Sequence, residues 1–365
     1  MDRSAKIGTW IIATGVILAF LYAGREILST FAMAVFLFLI IEGFATAVDN
    51  ATTRLNQRQA RVIAILIITG GFIGFIALMA NGVAEFGRDA GDYETRINAL
   101  ISDAYGVVGM HDSPTLTQLV FNERGQQFFA TIANSVSGLS GDLTLILIYV
   151  AFLFSAQAGW STKLDNIFPS QERRAQVRAI GNDARIGIER YLWVQTLISV
   201  MITALSYVSL LLLGVQNALF LSALIFVLNY IPTVGSIAAA VVPPLFALVQ
   251  PSVPGWVPGI VPDNSYIYAA IVFGTASFWQ FSIGNFIQPR MMGDSLNLSA
   301  LVVLLALAIW GLLWGIPGMF LSAPLTVLMM IVLAQSNETR WMAILLSADG
   351  NPSGKFVPDA EGATE

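Results

Sequence analysis

Long apolar runs alternate with short polar connections along most of this chain. Six runs cover Ile7 to Ala23, Ile27 to Val48, Val62 to Phe86, Leu143 to Gln157, Tyr191 to Gly214 and Tyr266 to Ile287. A bilayer core about 30 Å thick is crossed by about 20 helical residues, so each run predicts a membrane-crossing helix. Two further runs, Leu219 to Val249 and Leu298 to Ala334, are interrupted near their midpoints. The first is broken by Asn229-Tyr230-Ile231-Pro232-Thr233-Val234-Gly235-Ser236. Pro232 lacks an amide donor and clashes with the preceding turn, and Gly235 frees the backbone to reverse. Each half then holds roughly 13 apolar-rich residues, or about 20 Å of helix, too short to span. Irregular backbone at membrane depth persists only where it is buried in protein or faces a water-filled cavity. The pattern predicts an all-α polytopic membrane protein, with about six full transmembrane helices plus two broken re-entrant hairpins.

The second break, Gly315-Ile316-Pro317-Gly318, resembles the first. Both contain Ile-Pro with a nearby Gly, and both precede a Pro-Leu-x-x-Leu element, Pro244 to Leu248 in one and Pro324 to Leu328 in the other. Paired broken apolar segments in corresponding positions are the sequence pointer to a transporter binding site. If each broken run returns to its own face, the unit of one crossing helix followed by one hairpin occurs twice in opposite orientation, an inverted repeat. Both crossing helices carry a polar side: Gln195, Ser199, Thr203, Ser206 and Ser209 on one, and Gly274, Ser277, Gln280, Gly284, Asn285 and Gln288 on the other. Such faces should point to protein or water, not lipid. The expected substrate contacts are Asn229, Tyr230, Thr233 and Ser236 from one tip and Gly315 and Ser322 from the other. The tips are expected to meet near the midplane with Gln280 and Asn285 between them. Pro232, Gly235, Pro317 and Gly318 are expected to shape the backbone.

The polar segments set boundaries and orientation. Residues 1–86 hold the first three helices, with an uncleaved first helix. Residues 87–141 read as a small extracytoplasmic helical domain, with an amphipathic pattern from Leu116 through Val136 and the lone His111 in a solvated loop. Residues 142–335 form the transport core, and 336–365 read as a disordered cytoplasmic tail. Lys163, Arg173, Arg174, Arg178, Arg185 and Arg190 make the connection after the fourth helix basic, while Val177, Ile180, Ala184 and Ile188 give it an apolar stripe. A helix along the membrane surface fits. Lys and Arg cluster in alternate connections, which places both termini on the cytoplasmic side. Gly70, Gly71 and Gly74 suit close helix packing. Glu42 lies near a helix end, where Arg54, Arg58 or Arg61 can pair with it.

Composition supports the membrane reading: 56% of residues are hydrophobic, only 11% are charged, and mean hydropathy is +0.72. There is no Cys, hence no disulfide or thiolate metal site. No phosphate-binding loop motif is present. No His or Cys set has metal-ligand spacing, and no nucleophile triad can be assembled around the single His. No enzyme activity, cofactor, metal or nucleic-acid partner is expected. The breaks carry no acid or base, which favours a neutral or weakly polar substrate, or one held by helix ends and backbone groups.

The second half also carries several motifs in succession. They are Tyr191-Leu192-Trp193-Val194-Gln195, Leu213-Gly214-Val215, Asn229 to Gly235, Gln288-Pro289-Arg290-Met291-Met292-Gly293-Asp294-Ser295-Leu296, Gly315 to Met319, and Ala323-Pro324-Leu325. Together, over about Phe168 to Val332, they resemble the autoinducer-2 exporter family of bacterial permeases. The first half agrees in layout more than in motif. The family's Ile-Pro-x-x-Gly element falls on Ile231, Pro232 and Gly235, and its Pro-x-x-Met-Gly element on Pro289, Met292 and Gly293. Thr233 stands where many members carry an aromatic residue. The resemblance implies a homo-oligomeric secondary transporter of the bacterial inner membrane, an exporter acting by alternating access, with autoinducer-2 as one substrate in the family. It also admits sodium/proton antiport, for which Glu42 or Asp294 would have to titrate. A non-transporting scaffold acting through residues 87–141 is the third reading.

Overall fold

The computed structural model describes residues 3–51, 56–88, 90–107, 142–157, 159–168, 170–250, 265–292 and 297–352. His111, the Leu116 to Val136 pattern, Asp294 and the last 13 residues lie outside them. The helices are α1 Arg3–Ala23, α2 Arg25–Ala51, α3 Gln57–Arg88, α4 Ala90–Val107, α5 Asp142–Gln157, α6 Trp160–Ile167, α7 Gln171–Leu213, α8 Ala218–Leu228, α9 Val234–Val249, α10 Ser265–Ser282, α11 Gln288–Met292, α12 Ala300–Ala334 and α13 Arg340–Leu346. A π-helical turn, Ile283–Ile287, joins α10 to α11. The described residues contain no strand beyond one isolated bridge, Leu298 to Ser347. Among them, five helical stretches are long and apolar enough to cross a membrane: Arg25–Asp49, Arg58–Glu85, Gln171–Leu213, Ser265–Met292 and Ala300–Ala334. The last is itself interrupted at Gly315 (φ 66°, ψ −140°).

The chain divides into two compact units. One comprises residues 1–64, 144–193 and 294–365; the other comprises 65–143 and 194–293. In the second, α8 and α9 fold back on each other. Ala218 and Leu221 share a cluster with Ala247, and Ile225 shares one with Ala239, which is the pairing of antiparallel arms. The same clusters add Ile198, Ile202 and Leu210 of α7 and Tyr268, Val272 and Ile283 of the α10 stretch. The base of this hairpin is tied by Gln250. Its Oε1 accepts from the Gln216 amide at 3.1 Å, and its Nε2 donates to the Gly214 carbonyl at 3.5 Å. Gly214 has φ 73°, and the Val215 amide returns to the Leu210 carbonyl at 2.9 Å. That is a helix stop requiring a left-handed residue, which glycine supplies without strain.

The first unit holds the other hairpin, the two arms of α12. Trp310 Nε1 donates across to Thr326 Oγ1 at 3.2 Å, and Phe36 of α2 packs edge-on against Phe320 at 5.0 Å. Faces left uncovered in both units are apolar. Leu212, Leu219, Phe278 and Leu312 are all exposed, as helices solvated by lipid chains require.

Three expectations change. The basic connection and the fifth crossing form one 43-residue helix, α7, because no Gly-Pro break separates Arg190 from Tyr191. The tail reading fails over 340–352. Helix α13 closes back on the start of α12, with Ser299 N donating to Leu346 O at 3.1 Å and Ala348 N to Asn297 O at 3.0 Å. Asn297 (φ 46°) clasps Asp349 Oδ1 at 2.8 Å and the Asn351 carbonyl at 2.9 Å. Local polarity suggested disorder there, and long-range pairing overrides it. Finally, a Cβ on Gly70, Gly71 or Gly74 would meet nothing within 4 Å, so those glycines pack no described neighbour. Close approach falls instead at Gly82, where a Cβ would come 2.1 Å from the Phe220 ring.

Candidate transport site

The first break begins where α8 runs out of helical donors. The Asn229 backbone carbonyl accepts from Gln195 Nε2 of α7 at 2.7 Å, and the Asn229 side-chain Nδ2 donates to Ser199 Oγ at 2.9 Å. The Tyr230 hydroxyl lies 2.7 Å from Thr196 Oγ1. Side chains of a neighbouring helix thus replace the lost ladder bond, as apolar surroundings demand. Pro232 follows, then Thr233 with φ 60° and ψ −60°. The Val234 amide donates to the Pro232 carbonyl at 2.6 Å. This is a γ-turn with positive φ, a rare and strained form. Gly235 starts the return arm: a Cβ there would lie 1.7 Å from the Leu228 carbonyl oxygen. No side chain fits while the arms stay this close.

The second break repeats the device with different residues. Gly315 supplies the positive φ, in a region closed to side chains. Gly318 supplies the contact: a Cβ would lie 1.9 Å from the Trp310 carbonyl oxygen. Pro317 sits at the start of the return arm, where its missing donor costs no bond. Ser322 is fully buried and donates back to the Met319 carbonyl at 2.8 Å, and Thr326 donates to the Ser322 carbonyl at 2.6 Å.

The expected contact residues therefore divide. Asn229, Tyr230 and Ser322 are buried and bonded within their own units. Thr233 and Gly315 are exposed at the tips, and Ser236 is half-buried. Asn285 lies on the π-turn, exposed, donating to the Phe281 carbonyl at 3.0 Å. The Gln280 Nε2 and Thr203 Oγ1 atoms are buried with no hydrogen-bond partner among the described residues. A small cavity within the second unit is lined by Ser206, Ser209, Thr275 and Trp279, beside Ile225 and Pro243 of the hairpin. It has room for roughly one water molecule. The Trp279 indole N–H donates to Ser209 Oγ at 2.9 Å. The polar face read on the fifth crossing does point into protein: Gln195, Ser199 and Ser206 are buried.

Glu42 is buried in the first unit and held by two guanidiniums, Arg61 Nε at 2.9 Å and Arg185 Nη2 at 3.2 Å; Arg185 also reaches Glu189 at 2.6 Å. The pairing with Arg61 was legible as a boundary pair. Arg185, 143 residues away in sequence, left no local signal, and neither did Thr196 or Gln250. Among the described residues no group of acids and His could hold a metal ion.

Apolar helices with two glycine-tightened backbone breaks define a polytopic helical membrane protein of the kind that carries solutes. Its family is shown directly. The profile of the AI-2E family transporters matches residues 11–338, so the chain belongs to that family. Escherichia coli (strain K12) YhhT is 27% identical over 344 residues, covering 93% of each chain. The AI-2 transport protein TqsA of the same strain is 27% identical over 338 residues, covering 91% of this chain and 92% of its own. Bacillus subtilis (strain 168) YueF is 22% identical over 349 residues, 88% of this chain and 90% of its own.

Proposed function

We propose that this protein is a secondary transporter that moves a small polar solute, autoinducer-2 among the candidates, across the bacterial inner membrane by alternating access. The observation that carries the reading is the pair of helical hairpins, each broken at a strained residue and tightened by a glycine pressed against the opposite arm. Arms of 11 and 16 residues in the first hairpin are too short to span. We take both hairpins as re-entrant, with both termini cytoplasmic by the distribution of Lys and Arg. Similarity to the relative named for AI-2 transport supports the solute class. Thr233, Ser236, Gln280 and Asn285, all in the second unit, are assigned to substrate contact. Asn229, Tyr230 and Ser322 are assigned to holding the breaks in shape.

Purified protein in liposomes should take up labelled autoinducer-2 in a manner dependent on a sodium or proton gradient, and Gly235→Val should abolish that uptake while still inserting. Full uptake by folded Gly235→Val would overturn the role given to the break. No uptake by folded wild type under any gradient would remove autoinducer-2 as the solute.

A further inference from the structure

We propose that α6 and the opening turns of α7 form a binding site for the phosphodiester headgroup of an anionic phospholipid. Asp165 of α6 holds two arginines of α7 side by side: Arg178 Nη2 at 2.6 Å and Arg174 Nη1 at 3.7 Å from the same oxygen. With Gln171 and Ala175 these residues line an open groove of about 500 Å³. Lys163 and Arg173 are exposed beside it in sequence. Two guanidiniums and one carboxylate line the groove, and guanidinium forks match phosphate oxygens.

The apolar side of α6 identifies the source of that phosphate. Trp160, Leu164 and Ile167 follow helical spacing, with Trp160 61% and Ile167 65% exposed. A free anion has no use for such a stripe; a lipid surface does, and tryptophan is favoured at headgroup level. Packing sets the depth. Ala184, with Ile180, clusters against Val327 and Ile331, in the last turns of the apolar arm that ends at Ala334. Arg178 lies about 9 Å further along α7 from Ala184 at 1.5 Å per residue. That places the groove level with the end of the apolar arm, where headgroups lie. The inference needs only a membrane location and stands apart from transport.

Native mass spectrometry of the full-length protein in detergent, titrated with phosphatidylglycerol or phosphatidylcholine, tests this. Wild type should prefer phosphatidylglycerol, and Arg174→Gln with Arg178→Gln should cut that preference by about fivefold per arginine. Asp165→Asn should raise it, because the competing carboxylate is neutralised. Arg340→Gln, an exposed arginine that does not line the groove, should leave it unchanged. Equal binding of both lipids would overturn the proposal. So would a loss in Asp165→Asn matching that of the double variant, which would mark the cluster as structural only. Full displacement of phosphatidylglycerol by millimolar inorganic phosphate would assign the groove to a free anion and overturn the lipid reading.

Discussion

Three residues do most to determine whether the two breaks can exist, and each does so through its missing or constrained side chain. Gly235 and Gly318 sit where a Cβ would fall under 2 Å from a carbonyl oxygen, a distance no rotamer change relieves. Gly318→Ala should separate the α12 arms at a cost on the order of 3 kcal/mol, read as a lower melting temperature in detergent. Thr233 differs in kind: its positive φ is strained without being sterically closed. Thr233→Gly should raise stability by about 1 kcal/mol, since glycine adopts that conformation freely. An unchanged or lower melting temperature would show that the threonine side chain contributes more than its backbone costs.

At the scale of elements, α7 is what the first hairpin is built against. Its residues Gln195, Thr196 and Ser199 take up the polar groups that the break exposes. Gln195→Leu should leave the buried Asn229 carbonyl unpaired and cost about 1–3 kcal/mol. A double-mutant cycle between Ser199→Ala and Asn229→Ala should give a coupling near the ~0.6 kcal/mol typical of hydrogen bonds between membrane helices. Coupling close to zero would mean that the two side chains do not share a bond. The π-turn at Ile283–Ile287 belongs to this scale too. Wide turns of that kind concentrate at functional sites, and this one presents Asn285 from a helix that also carries the unpaired Gln280 amide.

Across the whole chain, two long-range closures stand out, both in the first unit. Glu42, Arg61, Arg185 and Glu189 tie α2, α3 and α7 by charge. Glu42→Gln should lower the melting temperature by more than either exposed arginine replaced alone, because it leaves two guanidiniums without their shared buried partner. The other closure is the clasp of Asn297 on the C-terminal segment. The amides of Asn351 and Asn297 hold the Asp349 carboxyl below its ordinary pKa. A depressed folded pKa gives stability that is complete above the unfolded value of about 3.9 and lost as pH falls from there through the folded value. Protection factors for amide exchange over 340–352 should therefore fall as pH drops below about 4, and Asp349→Asn should remove that dependence.

Sequence alone determined the all-helical membrane class and the positions of both breaks, while the structure merged the basic connection with the fifth crossing and left five stretches long enough to span among the described residues. The class and the breaks follow from local rules: a bilayer fixes element length, and Pro and Gly interrupt helices wherever they stand. Sequence also marked Gly235 and Gly318 as backbone-shaping and the polar face of α7 as inward. What it left open depends on residues far apart in the chain. Only the tertiary structure showed that Asn229 and Tyr230 spend their polar groups on α7 and that Arg185 joins Glu42. Only it showed that Gln250 ties the hairpin base and that the polar tail folds back as α13. A hydrogen bond or ion pair between distant residues leaves no period or spacing in the sequence. It exists only once packing has brought both partners out of water, where leaving either unpaired costs more than bringing them together.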